Sequence, residues 1–227
     1  MAENKKALSF GTDGVRAKDG RELEEAAYAL GRAVEGEVVL GRDTRASGEK
    51  LAGIFARGAC DAGAKVTYVG IMPTAGVAYL TKSRGADFGV VISASHNPPE
   101  YNGIKIFSGD GGKLSERAEN EFDAALRMHF EQKSLPFKVK SDFEGAREEY
   151  ISFLCSCGRD LAGMKIALDC SCGAASVIAP EVFSRLNADV LVVSAETDGE
   201  RINENCGALH VETLKKRCPG EFDLYFA

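Results

Sequence analysis

One segment of the chain places several reactive side chains directly after a buried apolar run. Residues 91–98 bring a hydroxyl, an imidazole and an amide into one tight turn, at Ser95, His96 and Asn97. Backbone N–H groups in such a turn, together with Lys105 a little further along, can hold the oxygens of a phosphate. This set of groups suits a serine that accepts and donates a phosphoryl group. Taken alone the signal is weak, because Ser-His neighbours in loops are mostly solvated turn residues.

The cysteines raise a second chemistry, a zinc site made of four thiolates. Cys155 and Cys157 form one pair, and Cys170 and Cys172 form another. Each pair is separated by a single residue, whereas structural zinc knuckles usually have two to four residues between ligands. The spacing therefore favours small buried thiols. His129 and His210 lie on predicted helices and read as ordinary surface or packing residues.

Helical and extended patterns alternate along the first part of the chain. Apolar residues recur at helical spacing after a capping-box sequence at residues 19–22, and Ser47 and Ser115 are predicted to begin two later helices. Short buried strands are predicted at residues 38–40, 66–69, 88–92 and 104–107. This alternation predicts an α/β fold in which the strand ends position the polar loops.

A domain boundary is predicted near Asp142. The preceding residues, 132–141, have no helical period and include Pro136, and a second βαβ series starts at Arg147. The sequence therefore predicts two consecutive α/β domains with mixed sheets flanked by helices, at residues 1–142 and 143–227. Because no helix follows the last predicted strand to cover its sheet, we expect the second domain to be truncated.

Composition narrows the classes of partner. The chain has 227 residues and a formal net charge of -6, with no long run of Lys or Arg, which argues against nucleic acid or an anionic membrane as a partner. No segment approaches the ~18 apolar residues that a bilayer requires. Seven cysteines, an odd number in a chain of this length, favour reduced thiols and a cytoplasmic location.

Several stretches, in the right order, resemble the α-D-phosphohexomutase family. Residues 94–98 (Ala-Ser-His-Asn-Pro) with residues 102–105 (Asn-Gly-Ile-Lys) resemble that family's phosphoserine loop. The further matching stretches are residues 10–16, 41–45, 70–74, 169–174 and 203–208. Ala17 departs from a common glycine, and Ala75-Gly76 departs from a proline-containing step. The resemblance covers nearly the whole chain and implies domain 1 and most of domain 2 of a four-domain enzyme.

The resemblance also implies roles for individual residues. Ser95 would carry the phosphate and contribute one metal ligand, with His96 and Lys105 as its catalytic neighbours. The residues expected to bind substrate are Thr12, Arg16, Arg42, Arg45, Asn97 and Asn102. Without the resemblance, residues 42–45 would read as a solvated turn with a surface ion pair, which contributes little.

The family needs a metal, usually Mg²⁺, held by the phosphoserine and by an Asp-x-Asp-x-Asp loop. Residues 221–227 resemble the strand that enters this loop, but the sequence contains no such loop. The later segments that bind the sugar and grip its non-reacting phosphate are also missing. Because phosphoryl transfer depends on positioning and charge neutralisation, we expect this chain alone to turn over negligibly.

The implied reaction interconverts hexose 6-phosphate and hexose 1-phosphate through a hexose bisphosphate. Residues 10–16 and 72–74 favour glucosamine phosphate, used for cell-wall precursors, while glucose and mannose phosphates stay open. One alternative is a naturally short, non-catalytic module that binds or senses a sugar phosphate. A nucleotide-binding enzyme carries little weight, because neither glycine-rich phosphate motif is present. The sequence leaves open whether the protein forms a homodimer.

Overall fold

A six-stranded mixed sheet forms the centre of the first unit of the molecule. The computed structural model describes residues 8–11, 14–130 and 138–227. The strands are β1 (Val15–Lys18), β2 (Glu37–Arg42), β3 (Lys65–Ile71), β4 (Phe88–Ile92), β5 (Tyr101–Ser108) and β6 (Lys140–Ser141), in the spatial order β1-β5-β4-β2-β3-β6. Strands β2, β3 and β4 run parallel, and β5 is antiparallel to both β4 and β1.

Helices cover both faces of this sheet. On one face lie α1 (Arg21–Arg32) and α2 (Gly48–Ala62), whose apolar stripes bury Leu23, Leu30 and Phe55 completely. The two helices cross closely at Gly31, where an added Cβ would overlap the carbonyl of Phe55. On the opposite face lies α3 (Thr74–Ser83), and α4 (Glu116–Ala125) packs beside α1. Burial of the apolar stripes, more than helix propensity, holds such helices in place.

The second unit is a smaller parallel sheet of the same layered kind. Its strands are β7 (Lys165–Asp169), β8 (Asp189–Val193) and β9 (Leu224–Phe226), in the order β8-β7-β9. Its helices are α5 (Phe143–Cys157), α6 (Ala179–Arg185) and α7 (Val211–Arg217), with a 3-10 turn at Ala174–Val177. The central strand β7 is fully buried at Ile166 and Ala167.

Helix α5 joins the two units. It starts at the predicted boundary, and its buried residues Ala146 and Ile151 pack in one apolar cluster with Val69 and Met72 of the first unit and Ile178 of the second. Arg84 at the end of α3 also donates to Asp142 and Glu149. One core therefore runs across the boundary at 142/143, and the division into two domains stays a prediction.

The predicted α/β class is confirmed, with differences in particular elements. The predicted capping box at residues 19–22 is wrong. The N-cap of α1 is Gly20, which has no side chain to cap the helix, and the Asp19 carboxyl bonds Ser47 instead. Ser115 does cap α4 and accepts from the N–H of Ala118. Strands β1 and β6 were absent from the prediction, since both are short and one is entirely exposed. Among the described residues no helix is both long and apolar enough to span a bilayer.

Candidate active site

Loops from both units meet at the carboxyl ends of parallel strands. Strand β2 leads into residues 43–47, and β4 leads into residues 93–101, which we call the serine loop. Strands β7 and β8 lead into residues 170–173 and 194–207 of the second unit. Thr44 Oγ1 donates to the carbonyl of Cys172 at 2.5 Å and joins the two sets of loops. In open α/β sheets this edge is where ligands usually bind.

Ser95 sits in a strained backbone conformation with its side chain exposed. Its φ is +58°, in the left-handed region that costs an L-residue about 1–2 kcal/mol. Its N–H donates to the Oγ of buried Ser93 at 3.0 Å, and the N–H of Ser93 donates to the carbonyl of Gly103 at 2.9 Å. The surrounding structure must supply the energy that keeps Ser95 in this conformation.

Arg45 fixes the backbone of the serine loop from below. Its Nη1 and Nη2 donate to four carbonyl oxygens, those of Ser95 (2.8 Å), Asn97 (2.8 Å), Pro98 (2.5 Å) and Tyr101 (2.7 Å). Its Nε donates to Oδ2 of Asp43 at 3.0 Å, and its own N–H donates to Oδ1 of the same carboxylate at 3.1 Å. The Arg45 side chain is 0% exposed. It therefore supports the loop from within, whereas the sequence had predicted that it contacts substrate.

Asn203 holds the same loop from the second unit. Its Nδ2 donates to the carbonyl of Ser95 at 2.9 Å and to that of Asn97 at 3.0 Å. The sequence indicated family likeness at residues 203–208 but assigned Asn203 no role. Asp43 was likewise assigned no role. Ser93 lies two positions before the left-handed Ser95, where a short polar residue is a recognisable turn signal.

Two other residues predicted to bind substrate are engaged in internal bonds. Arg42 Nε donates to Glu49 at 2.9 Å and to the hydroxyl of Tyr68 at 2.8 Å. Burial raises the pKa of Tyr68 to about 12. Asn102 is completely buried, donates to Ser47 Oγ and accepts from the N–H of Gly103, so it shapes the loop instead of reaching the cleft.

The remaining predicted residues that the structure describes are exposed or half-buried. His96 and Arg16 are exposed, and Asn97 and Lys105 are half-buried. Strand pairing places Arg16 opposite Gly103 and Lys105 opposite Val91, one residue before the end of β4. Thr12 lies outside the described residues. The structure thus leaves four of the predicted residues exposed or half-buried, and it buries Arg45 and Asn102.

A loop of the second unit supports Asn203. The buried carboxylate of Asp169 accepts from the N–H of Ser171 at 2.9 Å and from the N–H of Gly207 at 2.9 Å.

Burial raises the pKa of both Cys170 and Cys172 to about 12, so both thiols stay protonated at neutral pH. Cys172 also donates to Glu196 at 3.7 Å.

The described side chains do not come together in a metal site. Within residues 8–11, 14–130 and 138–227, no group of three or more His, Cys, Asp or Glu side chains is placed to hold a metal ion. Cys155, Cys157, Cys170 and Cys172 therefore form no such group among the described residues. Mg²⁺ prefers six oxygen ligands, and of the residues assigned to the metal this chain supplies only Ser95. The described residues therefore do not form a magnesium site by themselves.

Known proteins match both the sequence and the fold. Residues 7–132, more than half of the chain, match the family model described as phosphoglucomutase/phosphomannomutase, alpha/beta/alpha domain I. A phosphoglucosamine mutase of Clostridium acetobutylicum is 46% identical over 92% of this chain and 51% of its own length. The chain thus spans about half the length of the curated relatives it matches.

Solved structures agree at the level of the fold. The crystal structure of a Thermus thermophilus protein described as a phosphomannomutase has a TM-score of 0.74 and 25% identity, and covers 86% of this chain and 47% of that one. The Aspergillus fumigatus N-acetylphosphoglucosamine mutase, solved with GlcNAc-6P and magnesium, has a TM-score of 0.51 and 16% identity over 98% of this chain and 47% of its own. With its domain I match and its serine loop at the strand ends, the chain belongs to the phosphoglucomutase/phosphomannomutase family.

Proposed function

We propose that the protein containing this chain is a phosphohexomutase that carries its phosphoryl group on Ser95. The observation that carries the proposal is the exposed Ser95 at the carboxyl ends of β2 and β4, with its backbone fixed by Arg45 and Asn203. A group that gives and takes a phosphoryl must stay in one place through both steps, because positioning supplies much of the rate in phosphoryl transfer. Membership of the family supports the same reaction.

The proposed reaction consists of two transfers in opposite directions. First, a free hydroxyl of the hexose monophosphate attacks phosphorus on Ser95, the bond from phosphorus to Oγ breaks, and the hydroxyl proton passes, through a base, to the departing Oγ. The product is a hexose bisphosphate and a free Ser95. After the sugar reverses, Ser95 Oγ attacks the other phosphate and takes the phosphoryl group. The bond from that phosphorus to the hexose oxygen breaks, and the serine proton passes to the hexose oxygen. The hexose leaves with its phosphate moved between the 1- and 6-positions, and the serine is phosphorylated again.

Residues around Ser95 have proposed parts in these steps. His96 and Lys105 stay the catalytic candidates, because an imidazole can accept a proton and an ammonium can neutralise a transferring phosphoryl group. Arg16 is exposed and Asn97 is half-buried two residues after the serine, and both would contact substrate. Arg42, Arg45 and Asn102 would act through the loop backbone, given their internal bonds. Thr12 keeps its assignment as a proposed substrate contact.

The proposed substrate is glucosamine 6-phosphate, which becomes glucosamine 1-phosphate for cell-wall precursors. The name of the Clostridium acetobutylicum relative, phosphoglucosamine mutase, supports this choice. The Thermus thermophilus neighbour is described as a phosphomannomutase, so mannose phosphate and glucose phosphate are the comparison substrates. We further propose a cytoplasmic location, and leave a homodimer to be measured.

The chain by itself is proposed to be inactive as a mutase. Its curated relatives are about twice as long, and the described residues do not complete a metal site. The magnesium bound by the Aspergillus fumigatus enzyme supports the expectation of Mg²⁺ here, with phosphorylated Ser95 giving one oxygen and residues outside this chain giving the rest. Residues 1–142 and 143–227 are the proposed domains of this part.

The test starts from the gene, read past the codon for Ala227. The complete encoded protein is assayed with the 6-phosphates of glucosamine, glucose and mannose at equal concentration, beside the 227-residue chain. We expect the complete protein to prefer glucosamine phosphate, the short chain to show no turnover, and peptide mass spectrometry to find phosphate on Ser95. Phosphate on Ser93 instead would reassign the nucleophile. No turnover of any of the three would leave the non-catalytic sugar-phosphate-binding module as the alternative.

A further inference from the structure

The carboxamide of Asn203 makes an unusual pair of bonds to the serine loop. Its Nδ2 donates to the carbonyl oxygens of Ser95 and Asn97, at 2.9 and 3.0 Å. The same two carbonyls accept from Nη2 of Arg45, both at 2.8 Å. An amide NH₂ has two hydrogens, so both of its donors are used in this arrangement. The carbonyls on either side of His96 are therefore held between a buried cation of the first unit and an amide of the second.

Asn203 is itself held firmly by the second unit. Its φ is +62°, a left-handed conformation that Asn tolerates better than most residues. Its N–H donates to the carbonyl of Ser171 at 3.0 Å, directly after the end of β7. Four residues later Gly207 donates to buried Asp169, and Gly207 has a φ of +78° with no room for a Cβ beside Ser171. The carboxamide is thus presented from the frame of the second sheet.

Fixing these two carbonyls fixes the peptide plane that directly follows the nucleophile and the plane that follows Asn97. Ser95 has a φ of +58°, so it stays in place only while its neighbours hold it. Rotation of the plane that follows Ser95 would move Oγ away from its position at the strand ends, and the bond to Asn97 keeps the next part of the loop from allowing that rotation. A misplacement of about 1 Å can reduce the rate of a positioned reaction by about 10²-fold.

We propose that Asn203 is a positioning residue for phosphoryl transfer at Ser95, acting through the carbonyls of Ser95 and Asn97. The inference rests on the proposed function, because it concerns the same serine. It also makes the geometry of the nucleophile depend on the second unit, since the amide that holds it comes from a loop more than a hundred residues away in sequence. Docking of the second unit on the first completes the serine loop.

The test compares two asparagines in the complete enzyme. Asn203→Gly removes the carboxamide and keeps a backbone that accepts a positive φ. Asn205→Gly is the matched control, because Asn205 has a φ of +54° and is exposed, and its side chain makes no described hydrogen bond. We expect Asn203→Gly to lower kcat about 10- to 100-fold with KM for the hexose phosphate within about twofold, and Asn205→Gly to leave both unchanged.

Two further measurements separate positioning from general stability. Hydrogen exchange of the amides at residues 95–101 should rise in Asn203→Gly, while its thermal midpoint stays close to that of Asn205→Gly. Asn203→Asp keeps the shape but replaces the donor by an acceptor that repels the two carbonyls, so kcat should fall at least as far. If Asn203→Gly does not fold, Asn203→Ser is judged by the same criteria.

The outcomes distinguish this inference from the proposed function. Equal kcat in wild type and Asn203→Gly would overturn the positioning role, as would an equal loss of kcat in Asn205→Gly. A loss confined to KM would assign Asn203 to substrate binding and would also overturn the inference. If the enzyme keeps full activity without the Ser95 hydroxyl, the proposed function has failed first.

Discussion

Two loops of the molecule use the same turn at the end of a buried strand, and they use it differently. After β4, Ser95 has a φ of +58° and donates its N–H to the Ser93 hydroxyl two residues before it. After β7, Ser171 also has a φ of +58° and donates its N–H to the Asp169 carboxylate two residues before it. The local sequence pattern, a polar acceptor followed two positions later by a left-handed serine, is shared by both loops.

The surroundings of the two serines differ. Ser95 is exposed, and its carbonyl is held by Arg45 and Asn203. Ser171 is half-buried, and its Oγ lies so close to Gly207 that a Cβ there could not fit. The neighbours of Ser171 in the chain are two buried thiols. The same turn therefore presents a hydroxyl to solvent in the first unit and packs one against the scaffold in the second.

The largest expected effect comes from removing each hydroxyl while keeping the turn. Ser95→Gly and Ser171→Gly both retain a residue that adopts a positive φ without strain. In the complete enzyme we expect Ser95→Gly to lower kcat by at least about 10³-fold, because the phosphoryl carrier is gone. Ser171→Gly should stay within about threefold of wild type. Steady-state assay with glucosamine 6-phosphate measures both.

One result from these two glycine variants would contradict the difference between the loops. If Ser171→Gly lost as much activity as Ser95→Gly with an unchanged thermal midpoint, the two loops would share the chemistry. Circular dichroism of both variants is the control for folding. Phosphate found on Ser171 by peptide mass spectrometry would lead to the same conclusion.

The second-largest expected effect is a loss of stability on removing Arg45, the buried cation that bonds the serine loop. Arg45→Met leaves Asp43, which is 5% exposed, without its charged partner. It also removes the side-chain donors to the carbonyls of Pro98 and Tyr101. Breaking a buried ion pair by removing one member costs about 3–5 kcal/mol. We expect the free energy of unfolding of the 227-residue chain, measured by urea titration, to fall by that amount.

A surface arginine provides the matched control for this loss. Arg185 forms an ion pair with Glu148, but the two side chains are 38% and 56% exposed. Exposed pairs of this kind contribute about 0–1 kcal/mol, so Arg185→Met should change the free energy of unfolding by no more than that. Equal losses of unfolding free energy in the two variants would mean that the bonds from Arg45 to the serine loop add no more stability than an exposed ion pair does.

Much of the fold was predictable from periodic patterns, whereas the supports of the site were not. The strands at residues 38–40, 66–69 and 88–92 are continuous apolar runs, and such runs identify buried strands in any parallel sheet. Strand β1 carries the alternation of only four residues, Val15–Lys18, and its pairing with β5 is a long-range event. Local sequence contains no signal for such a pairing.

The site shows the same division between local and long-range information. Ser95 was found because its neighbours form a recognisable string. Arg45 was assigned to the cleft from the family resemblance, and without the resemblance it would have been taken as a solvated turn residue. In the structure four loop carbonyls replace water around it. Asn203 was missed because its contacts with Ser95 and Asn97 cross 106 to 108 residues of sequence. Residue type predicts a capacity to bond, and only the fold selects the partner.

The smallest expected effect is a pH dependence carried by the thiols of the second loop. Burial raises the pKa of Cys170 and Cys172 from 9.0 to about 12, and nearby charges of Asp169, Cys206 and Glu196 act in the same direction, while Arg201 opposes them at Cys172. The folded chain therefore keeps these protons at a pH where the unfolded chain releases them. Stability from this source is complete below pH 9 and falls as pH rises toward 12.

Urea unfolding between pH 8 and pH 9.5, under a reductant, measures this dependence below the ordinary pKa of a tyrosine such as Tyr68. We expect a loss on the order of 1 kcal/mol near pH 9.5, and a smaller slope in the double variant Cys170→Ala/Cys172→Ala, whatever its stability at pH 8. Cys157→Ala is the control, because Cys157 is exposed and its removal should leave the slope unchanged. An unchanged slope in the double variant would mean that the thiols titrate alike in the folded and unfolded chain. The two loops would then differ in the exposure of their serines and in the cation beneath Ser95, but not in their response to pH.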